Sequence, residues 1–241
     1  MITVTSFVLH ILAMICMLCD HLWGTVIPGN EWLTCIGRIA FPIFAFLTVE
    51  GYFHTSNLKK YLFRMLLFAF LSEIPFNLAL GSRIFYPLHQ NVLWSFLISL
   101  CLIHWNEKAR FSGKLWKRIL VLVATLCIAT VAGIVTFVDY YHAGILMVLA
   151  FYYFRGSNWV SGLLQFVALA YINWEILGGL VYTFTLFGNA VVFPQQGFAM
   201  LALIPIWLYK GEQGPYNRCI RWLYYSFYPV HLLILGILKR L

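Results

Sequence analysis

Long apolar runs separated by short polar gaps dominate the chain, at about residues 4–27, 32–53, 60–80, 90–106, 117–137 and 142–154. A helix needs about 20 apolar residues to cross a bilayer, so each run is long enough, or nearly so, to span. Backbone groups in hydrocarbon are satisfied only inside helices or closed barrels, and no alternating barrel pattern is present, so the runs predict helices. The stretch 158–192 is broken by Asn173-Trp174-Glu175 and by Gly178-Gly179, and reads as two short helices or one broken one. After Pro194-Gln195-Gln196-Gly197 a further run covers about 197–209, and a last one about 219–238. The expected fold is all-α: a polytopic integral-membrane helical bundle of about nine or ten transmembrane helices, one domain over 1–241.

Composition sharpens this picture. Of 241 residues, 62% are hydrophobic and only 10% charged, and the mean hydropathy is +0.85, which excludes an ordinary soluble domain. The opening Met1-Ile2-Thr3-Val4-Thr5-Ser6 lacks a basic segment, so the first run is expected to be a spanning helix and not a removable signal. The formal net charge of +8 would fit a nucleic-acid partner, but the basic residues sit in short inter-helix loops, which makes them topology markers. Lys59 and Lys60, then Lys108, Arg110, Lys114, Lys117 and Arg118, then Arg155, occupy alternate loops. The loops 24–31 and 138–142 carry Glu31 and Asp139 without Lys or Arg, and 81–89 carries only Arg83. The amino terminus is therefore expected in the cytoplasm. Lys210 falls on the same side only when 158–192 crosses once, giving nine crossings; ten leave it outside. The six cysteines lie mostly inside apolar runs, where Cys acts as a small hydrophobe. Cys16-x-x-Cys19 with His21 has no matching second half-site, so no metal is expected.

Against this background the polar residues inside the runs are conspicuous, because an ionised group at mid-depth costs at least about 2.5 kcal/mol. With a rise of about 1.5 Å per residue, Asp20 and His21 lie about 25 Å from the start of the first run, in its outer third. Arg38 enters from the outer side and Glu73 rises from the inner side to a similar level, so the four share one layer. Adjacent helical residues point about 100° apart, so Asp20 does not readily orient His21, and the partner of either is expected to be Arg38 or Glu73. Asp139, Tyr140, His142, His89, Gln90 and Asn91 lie at run ends on that side. A second layer near the inner surface holds Glu50, His54, Lys59, Lys60 and Arg64. The lysines suit snorkelling or anionic lipid; Arg64, a turn inside, suits bidentate phosphate binding, with Glu50 as its expected neutraliser. Tyr224-Tyr225-Ser226-Phe227-Tyr228-Pro229 fits an aromatic interface belt with a kink, leaving His231 unexplained. No Walker, Rossmann or Gly-x-Ser-x-Gly signature occurs.

Asp20-His21, Gly37-Arg38-Ile39-Ala40-Phe41-Pro42, Glu50-Gly51-Tyr52-Phe53-His54, Ser72-Glu73-Ile74-Pro75-Phe76-Asn77, Gln90-Asn91-Val92 and Phe227-Tyr228-Pro229-Val230-His231, taken in order, resemble the TraX family. The resemblance implies an integral-membrane acetyltransferase of the bacterial inner membrane, related to multi-pass acyltransferases that carry acetyl from cytoplasmic acetyl-CoA to an acceptor across the membrane. The family's namesake acetylates an F-type pilin; for this chain pilin, glycan, lipid and peptide acceptors stay open. On that resemblance His21 is the general base or transient acyl carrier, positioned by Asp20 and Arg38, with Glu73 at a further recurrent position of the catalytic group. Arg64, Lys59, Lys60 and Glu50 would meet the CoA moiety, and Gln90, Asn91 and His231 the acceptor. A proton-coupled transporter and a non-catalytic membrane or pilin assembly factor remain as alternatives, since buried acids and bases also mark ion pathways.

Overall fold

The computed structural model describes residues 4–81, 83–111, 113–186 and 188–241. Helices α1 (Ser6–Thr25), α2 (Glu31–Gly37), α3 (Ala40–His54) and α4 (Leu58–Phe76) come first. They are followed by α5 (Val92–Phe111), α6 (Leu115–Val135), α7 (Tyr141–Tyr153), α8 (Trp159–Tyr171), α9 (Leu203–Trp207) and α10 (Arg218–Leu238). Among the described residues, five segments are long and apolar enough to cross a membrane: Ser6–Thr25, Glu31–His54, Leu58–Gly81, Leu115–Val135 and Trp159–Leu177. The protein is a polytopic helical membrane protein.

Local sequence explains where the helices start and bend. Thr5, Asn57, Asn158 and Asn217 each accept a hydrogen bond from the backbone three residues on, capping α1, α4, α8 and α10, as short polar side chains do for unpaired first-turn amides. The run 32–53 is not one straight helix, because the chain turns at Arg38-Ile39 between α2 and α3. Pro42 is the cause: it has no N–H for the Arg38 carbonyl, and its ring crowds that carbonyl.

The region 158–192 settles as one helix and a hairpin. α8 continues through a π-turn, Ile172–Leu177, and ends at Gly178 and Gly179, both at positive φ (56° and 85°), where glycine carries no steric cost. The antiparallel strands β1 (Val181–Leu186) and β2 (Asn189–Pro194) follow, with Val181 opposite Pro194 and Leu186 opposite Asn189. Val181, Tyr182, Thr183, Phe184 and Thr185 make up most of β1, and Val191, Val192 and Phe193 the middle of β2; branched and aromatic side chains suit a pleated surface. The chain then returns through a 3₁₀ segment, Gln195–Ala202, into α9. Beyond α9, Val4 pairs with Tyr209, and the amides of Ser6 and Phe7 donate to the carbonyls of Glu212 and Gln213 at 2.8 and 3.1 Å. The start of α1 and the loop before α10 therefore form one end of the bundle.

α7 is the central rod. Ala143, Ile145, Met147, Val148, Leu149 and Phe151 are all buried, so it is apolar on every side, as an internal helix must be. α6 lies against it while turning Val123, Val131 and Val135 outward. The two helices lie close at Gly133, where an added Cβ would sit 2.3 Å from the His142 Cα. The obstacle is backbone, which cannot rotate away. Gly133→Ala is therefore expected to destabilise the fold by roughly 1–3 kcal/mol through overpacking, measured as a lower thermal transition in detergent; an unchanged transition would mean that α6 is free to shift.

Candidate functional site

Asp20 and Arg38 meet across α1 and the α2–α3 turn. The Arg38 guanidinium donates to Asp20 Oδ1 and, at 2.8 Å, to Thr34 Oγ1, while its Nε donates to the Thr34 carbonyl at 3.3 Å. Thr34 Oγ1 donates in turn to Asp20 Oδ1 at 2.7 Å. The helices come this close because position 37 lacks a side chain: a Cβ there would lie 2.4 Å from Asp20 Cβ and 2.7 Å from its Oδ1. Asp20, Thr34 and Arg38 thus form a mutually satisfied brace, and no hydrogen bond links it to His21.

The partner of His21 is His231 of α10, not Arg38 or Glu73. His21 Nδ1 and His231 Nε2 are 2.7 Å apart, and His231 Nδ1 lies 2.6 Å from the Phe227 carbonyl of its own helix. These two contacts assign the tautomers of a neutral pair. The Phe227 oxygen can only accept, so His231 carries its proton on Nδ1 and offers the Nε2 lone pair. His21 must then donate from Nδ1, which leaves its own Nε2 with a free lone pair. Stacking reinforces the arrangement: the His231 ring is 5.0 Å from His21 and 4.7 Å from Phe227, nearly parallel to both.

Glu73 serves the junction of α4 and α5. Its Oε2 accepts from the Asn91 side-chain amide and, at 3.2 Å, from Trp94 Nε1. Asn91 is fully buried; its amide also donates to the Ala69 carbonyl at 2.8 Å, and its Oδ1 accepts from the Leu93 amide at 3.1 Å. Glu73 Oε1 is buried without a hydrogen-bond partner among the described residues. Gln90 is occupied by the outer loops: its side chain donates to the Pro87 carbonyl at 2.8 Å, and its backbone bridges to Phe137 and Asp139. Beside it His89 Nε2 lies 3.4 Å from Asp139 Oδ1, and this hydrogen bond raises the His89 pKa above its ordinary value. Tyr228 flanks the histidine pair, with its ring 6.2 Å from that of His21 and 5.9 Å from that of His231. The residues expected to share an outer layer divide into a brace, a histidine pair and a helix-junction network.

A cavity of about 480 Å³ opens from the opposite end, between α1, α3, α4, α5 and α10, within the size range of small-molecule sites. Arg64, Arg221, His54 and Glu50 line its polar part, Met14, Met17, Met65 and Phe96 its apolar part, and Phe227 and Tyr228 are also in its wall. Arg64 Nε donates to Tyr225 Oη at 2.9 Å. Glu50 does not neutralise Arg64. It holds Arg155 instead, through contacts of 2.7 and 3.3 Å. Lys59 and Lys60 are exposed and do not line the cavity. His21 does not line it either, although Phe227 and Tyr228, which do, are in ring contact with His231 and His21. Arg221, Tyr224 and Tyr225 were not foreseen as site residues. The available signal was symmetry of position: Arg221 lies one turn into α10, as Arg64 lies in the second turn of α4.

A family model described as TraX protein matches residues 6–239, a range that takes in every helix above. The chain belongs to the TraX family. It is also similar to a Dichelobacter nodosus protein named probable fimbrial assembly protein FimC, serogroup H1, being 36% identical over 76 residues. That match covers 30% of this chain and 31% of the relative. No solved structure matches this TraX-family chain.

Proposed function

We propose that this TraX-family protein is an acetyltransferase of the bacterial inner membrane that takes acetyl from cytoplasmic acetyl-CoA and passes it to an amine or hydroxyl at or across the membrane. The observation that carries this reading is the histidine pair, which leaves a lone pair on His21 Nε2 close to the aromatic wall of a cavity with arginines in its polar part. Guanidiniums bind phosphate as planar forks, so Arg64 and Arg221 suit the phosphates of the donor, and the Met and Phe walls suit its pantetheine arm. His21 Nε2 takes the proton from the acceptor nitrogen or oxygen, which bonds to the thioester carbonyl carbon. The C–S bond breaks, and the CoA thiolate leaves and is protonated. His231 accepts from His21 Nδ1 throughout, stabilising the imidazolium that forms.

The purified protein in nanodiscs, given acetyl-CoA labelled in the acetyl group, is expected to consume it and to unfold at a higher temperature in its presence, as a ligand of the native state requires. Arg64→Gln and Arg221→Gln are each expected to raise KM for acetyl-CoA about tenfold or more, with kcat little changed, because each removes a charge-assisted hydrogen bond. The name of the Dichelobacter relative favours a second reading, a non-catalytic factor in pilus assembly. That reading predicts neither consumption nor a thermal shift, and such a result would overturn the acetyltransferase.

A further inference from the structure

On the far side of the Glu50–Arg155 pair lies a second cavity, about 560 Å³, enclosed by the ends of α3, α5, α6 and α7. Three arginines from three elements line it: Arg110, Arg118 and Arg155. Their charge is only partly offset. Glu50 binds Arg155 closely, while Glu107 Oε1 accepts from Tyr152 Oη at 2.8 Å and lies 3.6 Å from Arg110, whose side chain is 69% exposed. Arg118 has no carboxylate in ion-pair range among the described residues; one of its terminal nitrogens donates to the Arg110 carbonyl at 2.9 Å.

The floor is rigid and already satisfied. Tyr153 Oη donates to Asn106 Oδ1 at 2.9 Å, and the Asn106 amide donates to Thr125 Oγ1 at 2.6 Å, joining α5, α6 and α7. The outer wall is apolar: Ile119 and Leu122 lie on the helix that turns its valines outward, and both are exposed. A guanidinium cluster with a greasy outer wall, at the end of a membrane helix bundle, matches one chemistry in both halves. Phosphate oxygens would pair with the arginines, and acyl chains would run down α6.

We infer that this cavity is a binding site for the phosphodiester headgroup of an anionic phospholipid. Basic pockets between membrane helices take such headgroups. The assignment does not depend on the proposed acetyltransferase activity, and its readout is lipid retention.

The test uses the full-length protein in detergent, with retained lipid counted by native mass spectrometry and the thermal transition measured alongside. Phosphatidylglycerol is expected to be retained and to raise the transition; phosphatidylcholine is not, nor is glycerol 3-phosphate, which has the phosphate without the chains. Arg118→Gln should weaken phosphatidylglycerol binding about fivefold, the loss expected for one cation near a lipid phosphate. Arg110→Gln, at an exposed side chain, serves the same purpose should Arg118→Gln fold poorly. The double variant Lys59→Gln, Lys60→Gln removes more charge from the same end of the bundle and should lower retention less than either single arginine variant does. Equal retention of the two lipids, wild-type binding by both arginine variants, or equal loss in the lysine variant would overturn the site. A thermal shift with glycerol 3-phosphate as large as with the lipid would overturn the lipid assignment in favour of a free phosphate ligand.

Discussion

Replacing His21 with alanine is expected to lower acetyl transfer from acetyl-CoA by about 10²–10⁴-fold, the usual contribution of a positioned general base, while the thermal transition stays near that of the wild type. The brace beside it explains the second half of that expectation. Asp20, Thr34 and Arg38 satisfy one another without His21, so the imidazole can be removed without exposing a buried charge. The companion variants separate chemistry from scaffold. His231→Ala removes the acceptor that keeps the His21 proton on Nδ1, so kcat should fall and its pH profile should shift, because both tautomers of His21 become available. His231→Gln keeps an acceptor oxygen on the same helix face and should recover part of the activity. A His231→Ala enzyme with the wild-type rate and profile would remove His231 from the mechanism. Unaltered turnover in His21→Ala would remove His21 itself.

Arg38→Ala should act in the opposite way, through stability. It strands the Asp20 carboxylate, whose side chain is only 19% exposed, with Thr34 as its remaining partner. Removing one member of a buried ion pair typically costs about 3–5 kcal/mol, because the other charge is left uncompensated. The expected result is a large drop in thermal transition in detergent. Replacing both residues, Asp20→Asn with Arg38→Gln, should recover most of the loss, since no uncompensated charge is then left behind. Gly37→Ala should reproduce the single variant's defect without touching either charge, because its Cβ would occupy the space of Asp20 Cβ and Oδ1. If Arg38→Ala proved stable and inactive, the pair would belong to the chemistry and not to the frame.

Several site residues were legible as polar and deep, and illegible as partners. Glu50 and Arg64 are both polar residues of the inner layer, and an ion pair between them was the natural expectation. The structure gives Glu50 to Arg155, 105 positions along the chain, and Arg64 to Tyr225, 161 positions along. Lys59 and Lys60 share that layer and yet lie outside the cavity, on exposed turns of α4. The hairpin was missed for another reason. A short run of mostly apolar and β-branched residues has no period that separates a strand from a buried helix segment, and β1 and β2 are each six residues long.

What the sequence determined by itself was class, together with an expected depth. The apolar runs called for membrane helices, and a rise of about 1.5 Å per residue assigned Asp20, His21, Arg38 and Glu73 to one layer. Only the tertiary structure decided which way each side chain turns. That direction depends on the rotation of each helix about its axis, which is set by close approaches such as Gly37 against Asp20 and Gly133 against His142. The pairing of His21 with His231, 210 residues apart, is such a result. Neither histidine's own helix specifies it; the packing of α10 against α1 does.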